Sequence, residues 1–449
     1  MNAIKKSFRE ILQYPSAIAG LVVVVLFIAV AVYAMIAIPY NEAITLWRSG
    51  EDVWYRNPKY ASPAWFNLFS RKKLPESFAV NTMDGGMEKT VVPGDQDTST
   101  ISVNYKFNYS YDSFPQELLL YFDSTFVEKQ PFVSILMIAP DGREIRIADF
   151  GVDAKQTYRF SQDEKLARRL KNTDAIIGIF ADPAGDTASP VPLKGEYQLA
   201  LTGVTFEKDA KLEVEFVMHG QVYGLAGTDH ARRDLVVPLL WGAPVALAFG
   251  LIASLGTSVL TMIIAAVGAW YGNWVDELIQ RITEVNLVLP FFAILIMIGT
   301  LYSRSIWVIL GSTILLNIFT GAIKGYRAIF LQIKESPYIE AAHAYGATNL
   351  RIVFVYLIPR MIPLLIPGLV SSVPTFVFLE ATLAVVGLGD PVLPTWGKII
   401  EDANSNGALY KGYYYWILEP SALLMVTGLG FAMLGFALDR IFNPRLRGV

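Results

Sequence analysis

The chain has no cysteine and only three histidines among its 449 residues. It can therefore form no disulfide, no thiolate metal site and no cysteine nucleophile. The histidines are His219, His230 and His343, so a histidine-based metal centre would need convergence from distant segments. The chain also lacks a Gly-x-x-x-x-Gly-Lys-Ser/Thr phosphate-binding loop.

Charged residues are scarce as well. They make up 17% of the chain, against about 25% in soluble domains, while 53% of the residues are hydrophobic. The net charge of −3 gives no reason to expect nucleic acid as a partner. No nucleophile–base pair stands out, so an enzyme is the least expected class. This composition predicts that part of the chain lies in lipid.

Long apolar runs predict six transmembrane helices. The first run is uncharged for more than 20 residues, enough to cross a hydrocarbon core of about 30 Å and longer than a signal-peptide core. The helices are placed at about 15–38, 239–270, 287–302, 306–330, 353–378 and 416–438. Lysine and arginine concentrate at the ends that share a side with the N-terminus, which predicts that both termini are cytoplasmic. Residues 271–281 fit this charge rule least well.

Residues 42–225 have a different character. Runs typical of strands occur at 99–111, 117–124, 132–140, 195–204 and 210–220, and Asp141-Gly142 favours a tight hairpin turn. One helix is predicted at 163–172. The segment is expected to form a mainly-β, sandwich-like extracytoplasmic domain, inserted between residues 1–41 and a five-helix core at 226–449. Its aromatic stretch, 54–70, fits either a membrane interface or an aromatic core under a loop.

The loop at 331–359 is too regular for an ordinary connector. Ser336-Pro337 is typical of a helix start, Glu340 lies near the positive end of that helix, and Gly346 can end it in the left-handed conformation. The pattern predicts a short helix with a small alanine face that another protein can approach closely. The alternative is a plain connection between two helices.

Five segments in chain order then resemble one family, the permease subunits of ABC importers for dipeptides, oligopeptides and nickel. The stretch 339–359 is similar to the EAA loop of ABC importer permeases, through Glu340-Ala341-Ala342, Gly346 and Pro359. The other segments resemble signatures of the second, C-type subunit, and they are 227–234, 271–290, 380–400 and 438–448. The sequence departs from the family pattern at Arg232, Tyr356, Ile358 and Asn443. The long segment 42–225 is also unusual, and the resemblance says nothing about its role.

The resemblance implies an α-helical ABC importer permease fold in the cytoplasmic (inner) membrane, with this chain forming half of a translocation pathway. The implied partners are membrane lipid, a second homologous permease, an extracytoplasmic substrate-binding protein and two cytoplasmic ATPases, which would bind ATP and Mg²⁺. This chain would hold no cofactor and no metal. By the same resemblance, the ATPase-coupling helix consists of Tyr338, Ile339, Glu340, Ala341, Ala342, Ala344, Tyr345 and Gly346.

Two further groups are candidates for function. Glycine and proline are too dense in 380–400 for a regular spanning helix, and irregular backbone at membrane depth must be buried in protein or line a cavity. The candidate gate or pathway residues are Glu380, Gly387, Gly389, Pro394 and Trp396, with a surface loop as the alternative. For Glu380 a structural role at the helix end is favoured over the pathway. Asp229, Arg233 and Asp234 fit either a charge cluster at the outer mouth of the second helix or a solvated helix start.

The substrate expected by default is a dipeptide or oligopeptide. An oligosaccharide is the alternative within the same architecture, because apolar spans with scattered Ser, Thr and Asn do not distinguish a peptide substrate from an oligosaccharide. A different class is a membrane-anchored extracytoplasmic recognition protein. One span would suffice for that role, so the five extra spans and the docking loop favour the importer.

Overall fold

The computed structural model describes residues 14–95, 97–171, 174–186 and 188–442. Their contacts divide the chain into two compact units. One unit holds the chain up to Arg48 together with the chain from Val237 onward, and the other spans Ser49–Val236. The insertion predicted at 42–225 corresponds to the second unit, with shifted limits. The basic residues before Tyr14 and most of the C-terminal signature lie outside the described residues.

The first unit is helical. Its helices in chain order are α1 (Pro15–Ala37), α2 (Tyr40–Arg48), α3 (Val236–Tyr271), α4 (Asn273–Val288), α5 (Phe291–Leu301), α6 (Ile306–Ile318), α7 (Gly321–Lys334), α8 (Pro337–Ala344), α9 (Ile358–Leu383), α10 (Trp396–Ser405), α11 (Ala408–Lys411) and α12 (Tyr415–Phe442). Helix α9 is flanked by two π-helical stretches, Ile352–Leu357 and Ala384–Leu388.

Four helical runs in the described residues are long and apolar enough to cross a membrane. They are α1, α3, α12 and the run Asn349–Leu388 that contains α9. The number rises to six if each of two bent pairs is one span: α4 with α5, bent by 78°, and α6 with α7, bent by 49°. The predicted helices at 15–38, 239–270, 353–378 and 416–438 therefore match single long runs.

The helix predicted at 287–302 was wrong in its extent, because the chain breaks at Pro290 and α5 begins at Phe291. The segment 271–281, treated as a connection, is helical from Asn273 onward. Gly272, with φ +62°, ends α3, and the next helix starts at once with Asp276 in its first turn. An acidic residue there is favourable for a helix N-terminus, which explains why a polar segment is helical.

Small residues bring α1 close to α12. A Cβ added to Gly20 would lie 2.7 Å from the carbonyl oxygen of Gly430, so the two helices cross at a distance that only glycine allows. Such small-residue crossings are typical of helices packed in lipid, where close van der Waals contact replaces the hydrophobic driving force.

The second unit is a β-sandwich. Its strands are β1 (Phe78–Asn81), β2 (Glu88–Pro93), β3 (Ser99–Tyr109), β4 (Glu117–Thr125), β5 (Phe132–Ile138), β6 (Glu144–Gly151), β7 (Lys155–Arg159), β8 (Gly195–Thr205) and β9 (Lys211–His219). They form two antiparallel sheets with the orders β1-β9-β4-β7 and β2-β3-β8-β5-β6. Alternate residues of both sheets, such as Leu120 of β4 and Leu199 of β8, share one apolar core.

The five interior strands, β3, β4, β5, β8 and β9, are the five that the sequence predicted. The four strands it missed, β1, β2, β6 and β7, are the four at the sheet edges. The predicted hairpin turn is present, with Gly142 at φ +83° between β5 and β6. The predicted helix at 163–172 is shorter, Glu164–Arg169, and its N-terminus is capped by the Asp163 carboxylate.

Candidate functional site

Helix α8 begins at Pro337 and is capped at its C-terminus by Gly346, as the sequence predicted, and the Ser336 side chain forms no capping hydrogen bond. Pro337 occupies the first turn, where a backbone N–H has no intrahelical acceptor to lose. At the other end the N–H of Gly346 donates to the His343 carbonyl oxygen at 2.9 Å, and that of Ala347 to the Ala342 oxygen at 3.0 Å. With Gly346 at φ +79°, these two bonds form a Schellman cap.

One face of α8 is anchored on the helical unit. Ile339 and Ala342 are buried, with 3% and 7% of their surfaces exposed. Ile339 belongs to an apolar cluster that includes Phe330 of α7 and Leu357 at the entrance to α9. This contact fixes the orientation of the helix, so its opposite face points outward.

That outward face carries small side chains and one aromatic ring. Glu340, Ala341, Ala344 and Gly346 are exposed, and Tyr345 projects with 93% of its surface accessible. Tyr338 is half-buried, with its ring 5.1 Å from the Arg360 guanidinium carbon. Flat alanine surface beside a projecting tyrosine is chemistry suited to a concave protein partner, since tyrosine anchors are enriched at binding hot spots.

Two charged contacts support the helices beneath α8. The Arg327 guanidinium of α7 forms a bidentate ion pair with Asp276 of α4, at 2.5 and 2.6 Å. Lys334 donates to the Ala269 and Trp270 carbonyl oxygens at 3.2 and 3.0 Å, which places a cation at the C-terminus of α3. Sequence reasoning used these two basic residues only for topology and missed their partners.

The segment after α9 is irregular, in agreement with the sequence. Gly387 adopts φ +91°, which ends the helical run, and Gly389 continues as extended backbone. Glu380 is buried inside α9, with 7% of its surface exposed, and its carboxyl group contacts the Thr395 hydroxyl. Pro394 immediately precedes that threonine. Whether this segment gates a pathway stays a prediction.

Trp396 and Asp390 fix this segment to neighbouring helices. Trp396 is 1% exposed, and its indole N–H donates to the Leu239 carbonyl oxygen of α3 at 2.8 Å. Asp390, which sequence reasoning missed, accepts from the Ile306 N–H at 2.9 Å and so caps α6. Its only sequence signal was an acidic residue between a glycine and a proline.

In the second unit, the structure brings together two of the three residues, Asp229, Arg233 and Asp234, that were predicted as a charge cluster at the outer mouth of the second helix. Asp229 and Arg233 are buried, 1% and 8% exposed, and their side chains form an ion pair at 2.5 Å. Asp234 instead accepts from the Val236 N–H at 2.9 Å. Burial raises the pKa of Asp234 above its ordinary value.

A neighbouring buried cluster was missed by the sequence analysis. Arg232 donates through Nη1 to Nδ1 of His219 at 3.1 Å and to the Asn57 carbonyl oxygen at 2.8 Å. Because a guanidinium group can only donate, His219 must accept at Nδ1 and donate from Nε2 to the backbone carbonyl oxygen of Tyr55, 2.9 Å away. Burial, and then the positive charge of Arg232, lower the pKa of His219 to about 3. The histidine is therefore neutral.

Known proteins resemble this chain in one consistent way. Residues 258–448 match the family described as "Binding-protein-dependent transport system inner membrane component". A Brucella suis protein named as a peptide transport system permease is 31% identical over 230 residues, covering 50% of this chain and 74% of the relative. The Bacillus subtilis oligopeptide transport system permease protein OppC is 27% identical, covering 49% of this chain and 72% of that protein. The Agrobacterium fabrum peptidoglycan transport system permease protein YejE is also 27% identical, covering 40% and 47%.

The long apolar helices and these relatives define an integral membrane protein of the transport class. More specifically, the chain belongs to the family of binding-protein-dependent transport system inner membrane components. The family resemblance predicted from the sequence is thereby confirmed. The matched residues 258–448 include α8 and the irregular segment after α9, and none of the β-sandwich.

Proposed function

We propose that this chain is one of two permease subunits of an ATP-driven ABC importer for dipeptides or oligopeptides. It forms half of the translocation pathway in the cytoplasmic membrane, with six spans, cytoplasmic termini and the β-sandwich outside. The relatives named as peptide permeases support peptide as the substrate. Counting each bent helix pair as one span gives the six crossings.

The outward face of α8 is the observation that carries the proposal. The helix is anchored by Ile339 and Ala342, while Glu340, Ala341, Ala344 and Tyr345 face away from the chain. In this arrangement, α8 enters a groove on a cytoplasmic ATPase. Closure of two ATPases on ATP then biases one permease arrangement over another, because α8 docks differently in the two states.

The remaining subunits of the importer supply the functions that this chain lacks. This chain carries no phosphate-binding loop, so ATP and Mg²⁺ bind to the two ATPase subunits. A second, homologous permease completes the pathway, and an extracytoplasmic binding protein delivers the substrate. The YejE relative, named for peptidoglycan transport, makes a glycan-bearing peptide the second candidate substrate.

Two matched tyrosine variants test the docking step. Tyr345 and Tyr410 are both almost fully exposed, at 93% and 97%, but only Tyr345 lies on the docking face of α8. The complex is purified through this chain, and the co-purified ATPase is quantified by mass spectrometry. Tyr345→Ala should lower ATPase recovery about tenfold or more, because truncating an aromatic hot spot costs about 2 kcal/mol, whereas Tyr410→Ala should leave it unchanged.

Uptake in proteoliposomes tests the substrate. ATP-dependent entry of a labelled tripeptide, requiring the binding protein, is the expected result, and an oligosaccharide should not compete. Recovery of the chain without ATPases, or equal ATPase loss in both tyrosine variants, would remove the basis for the coupling role of α8.

A further inference from the structure

The β-sandwich contains a cavity of about 590 Å³ that the proposed function does not use. Its floor is the outer face of the sheet β1-β9-β4-β7, and residues 51–56 form part of its wall. The volume lies within the range of about 300–1,000 Å³ typical of small-ligand sites. Five acidic and four basic side chains line it, so its charge is close to balanced.

One end of the cavity is basic. Arg159, at the last position of β7, is half-buried, and within the described residues its side chain makes no ion pair or hydrogen bond. Arg232 lies at the same end, where its pKa is lowered by burial and also by the like charge of Arg159, despite the acidic Glu51 at 3.6 Å. A guanidinium group in a cavity beside a second cation is stabilised by a bound anion, and a carboxylate fits it in a bidentate manner.

The opposite end holds two carboxylates beside one lysine. Asp123 of β4 lies in register with Glu213 of β9 on one side and Lys155 of β7 on the other. Glu213 is held in place by Lys89 at 2.7 Å and Thr82 at 2.5 Å. The Asp123 carboxylate is exposed to the cavity, where a ligand ammonium group would find two carboxylates.

The spacing between the two ends is set by the sheet. Lys155 and Arg159 are four residues apart on β7, which corresponds to about 13 Å at 3.3 Å per residue. An extended peptide advances at most about 3.6 Å per residue, so three or four residues span this distance between their charged ends. Tyr121 and Tyr55 lie between the ends, with ring centroids 4.8 Å apart, and supply apolar surface for side chains.

We propose that this cavity binds a short extended peptide of three or four residues with free termini. Its carboxylate pairs with Arg159, and its ammonium group lies at Asp123 and Glu213. The choice of a peptide over other zwitterions rests on the proposed function. The β-sandwich would then hold a peptide-binding site on the permease chain itself, separate from the helical unit and from the binding protein.

Because this chain has no cysteine, a single introduced cysteine is its only maleimide target, and labelling can be followed on this chain within the assembled complex. Thr157 is exposed on the cavity floor, whereas Val127 is 89% exposed and does not line the cavity. Thr157→Cys and Val127→Cys complexes are placed in lipid nanodiscs without binding protein, and maleimide labelling rates are measured against trialanine concentration. Trialanine should slow labelling at the Thr157→Cys position and leave the Val127→Cys rate unchanged.

The termini of the peptide are tested separately. Adding Arg159→Gln to Thr157→Cys should raise the half-protecting trialanine concentration about tenfold, and C-amidated trialanine should show the same loss with Arg159 intact. Asp123→Asn and N-acetylated trialanine probe the ammonium end in the same way. An unchanged thermal unfolding midpoint in each variant shows that the fold is intact. Absence of protection, or protection that is indifferent to Arg159 and to amidation, would overturn the site.

ATP-driven uptake of labelled trialanine separates this inference from the proposed function. Uptake by wild type without any protection at the Thr157→Cys position would remove the cavity site and leave the importer intact. Protection without ATP-dependent uptake of any peptide would retain the cavity as a peptide site and remove the importer proposal.

Discussion

Replacing Gly346 by alanine should weaken ATPase docking without disturbing the packing of the chain. A Cβ at this position would meet no atom within 4 Å, so the substitution creates no clash. The cost is conformational: at φ +79° an L-residue is destabilised by about 1–2 kcal/mol. Because the end of α8 is exposed, the alanine variant can relax out of the left-handed conformation until docking restores it. The apparent affinity for the ATPase should therefore fall about 5- to 30-fold.

Gly412 supplies the matched control. It also has a left-handed backbone, φ +83°, with no atom within 4 Å of an added Cβ, but it ends α11 rather than the coupling helix. ATPase binding to the purified complex is titrated for Gly346→Ala, Gly346→Asn and Gly412→Ala. Asparagine tolerates the left-handed region, so Gly346→Asn should recover most of the affinity. Equal losses in both alanine variants, or no recovery with asparagine, would refute the reasoning.

Two further predictions concern stability. The pKa of His219 in the fold, about 3, lies below its ordinary 6.5, so below pH 6.5 the unfolded chain binds a proton that the fold excludes. The contribution of His219 to stability should be complete above about pH 6.5 and should fall towards pH 3 by up to about 1.4 kcal/mol per pH unit. The thermal unfolding midpoint should therefore differ less between pH 7.5 and pH 5.5 in His219→Gln than in wild type. An equally steep pH dependence in that variant would contradict the assignment. Trp396→Phe removes the donor to the Leu239 carbonyl oxygen and should destabilise the protein by about 1 kcal/mol in detergent. The control variant Trp307→Phe, at a 65% exposed position, should have little effect. Equal shifts of the unfolding midpoint in both variants would contradict the role of that hydrogen bond.

The sandwich shows which strands a sequence can predict. An interior strand such as β8 pairs on both sides, and from Tyr197 onward every second residue is buried, so its period of two is visible. Edge strand β2 is almost fully exposed, and β7 carries only polar residues and one tyrosine. Edge strands need less apolar surface and are protected by charged residues, so the period-two alternation of apolar and polar residues is lost in their sequence. Hence β2 and β7 escaped prediction, whereas β1 has only four residues and β6 was missed although Ile145 and Ile147 alternate with exposed residues.

The candidate sites divide in a similar way. The cap of α8 was predictable because Pro337 and Gly346 act on their own backbone, within a few residues in sequence. The partners of Arg327 and Arg232 were not, since Asp276 and His219 reach them only through the tertiary fold. The cavity at Arg159 belongs to the same group: its residues come from segments between 51 and 232, and no local pattern joins them.

Helix α9 links the two candidate sites of the helical unit. At one end, Leu357 and Met361 pack in the same apolar cluster as Ile339 of α8. At the other end, Glu380 contacts Thr395 and the π-helical stretch with Gly387 ends the helix. Short π-helical stretches are frequent at functional positions, and one lies at each end of α9. Under the proposed function, a displacement of α8 by the ATPase has a continuous packed route to the irregular segment, so loosening α8 at Gly346 should reduce transport more than it reduces stability.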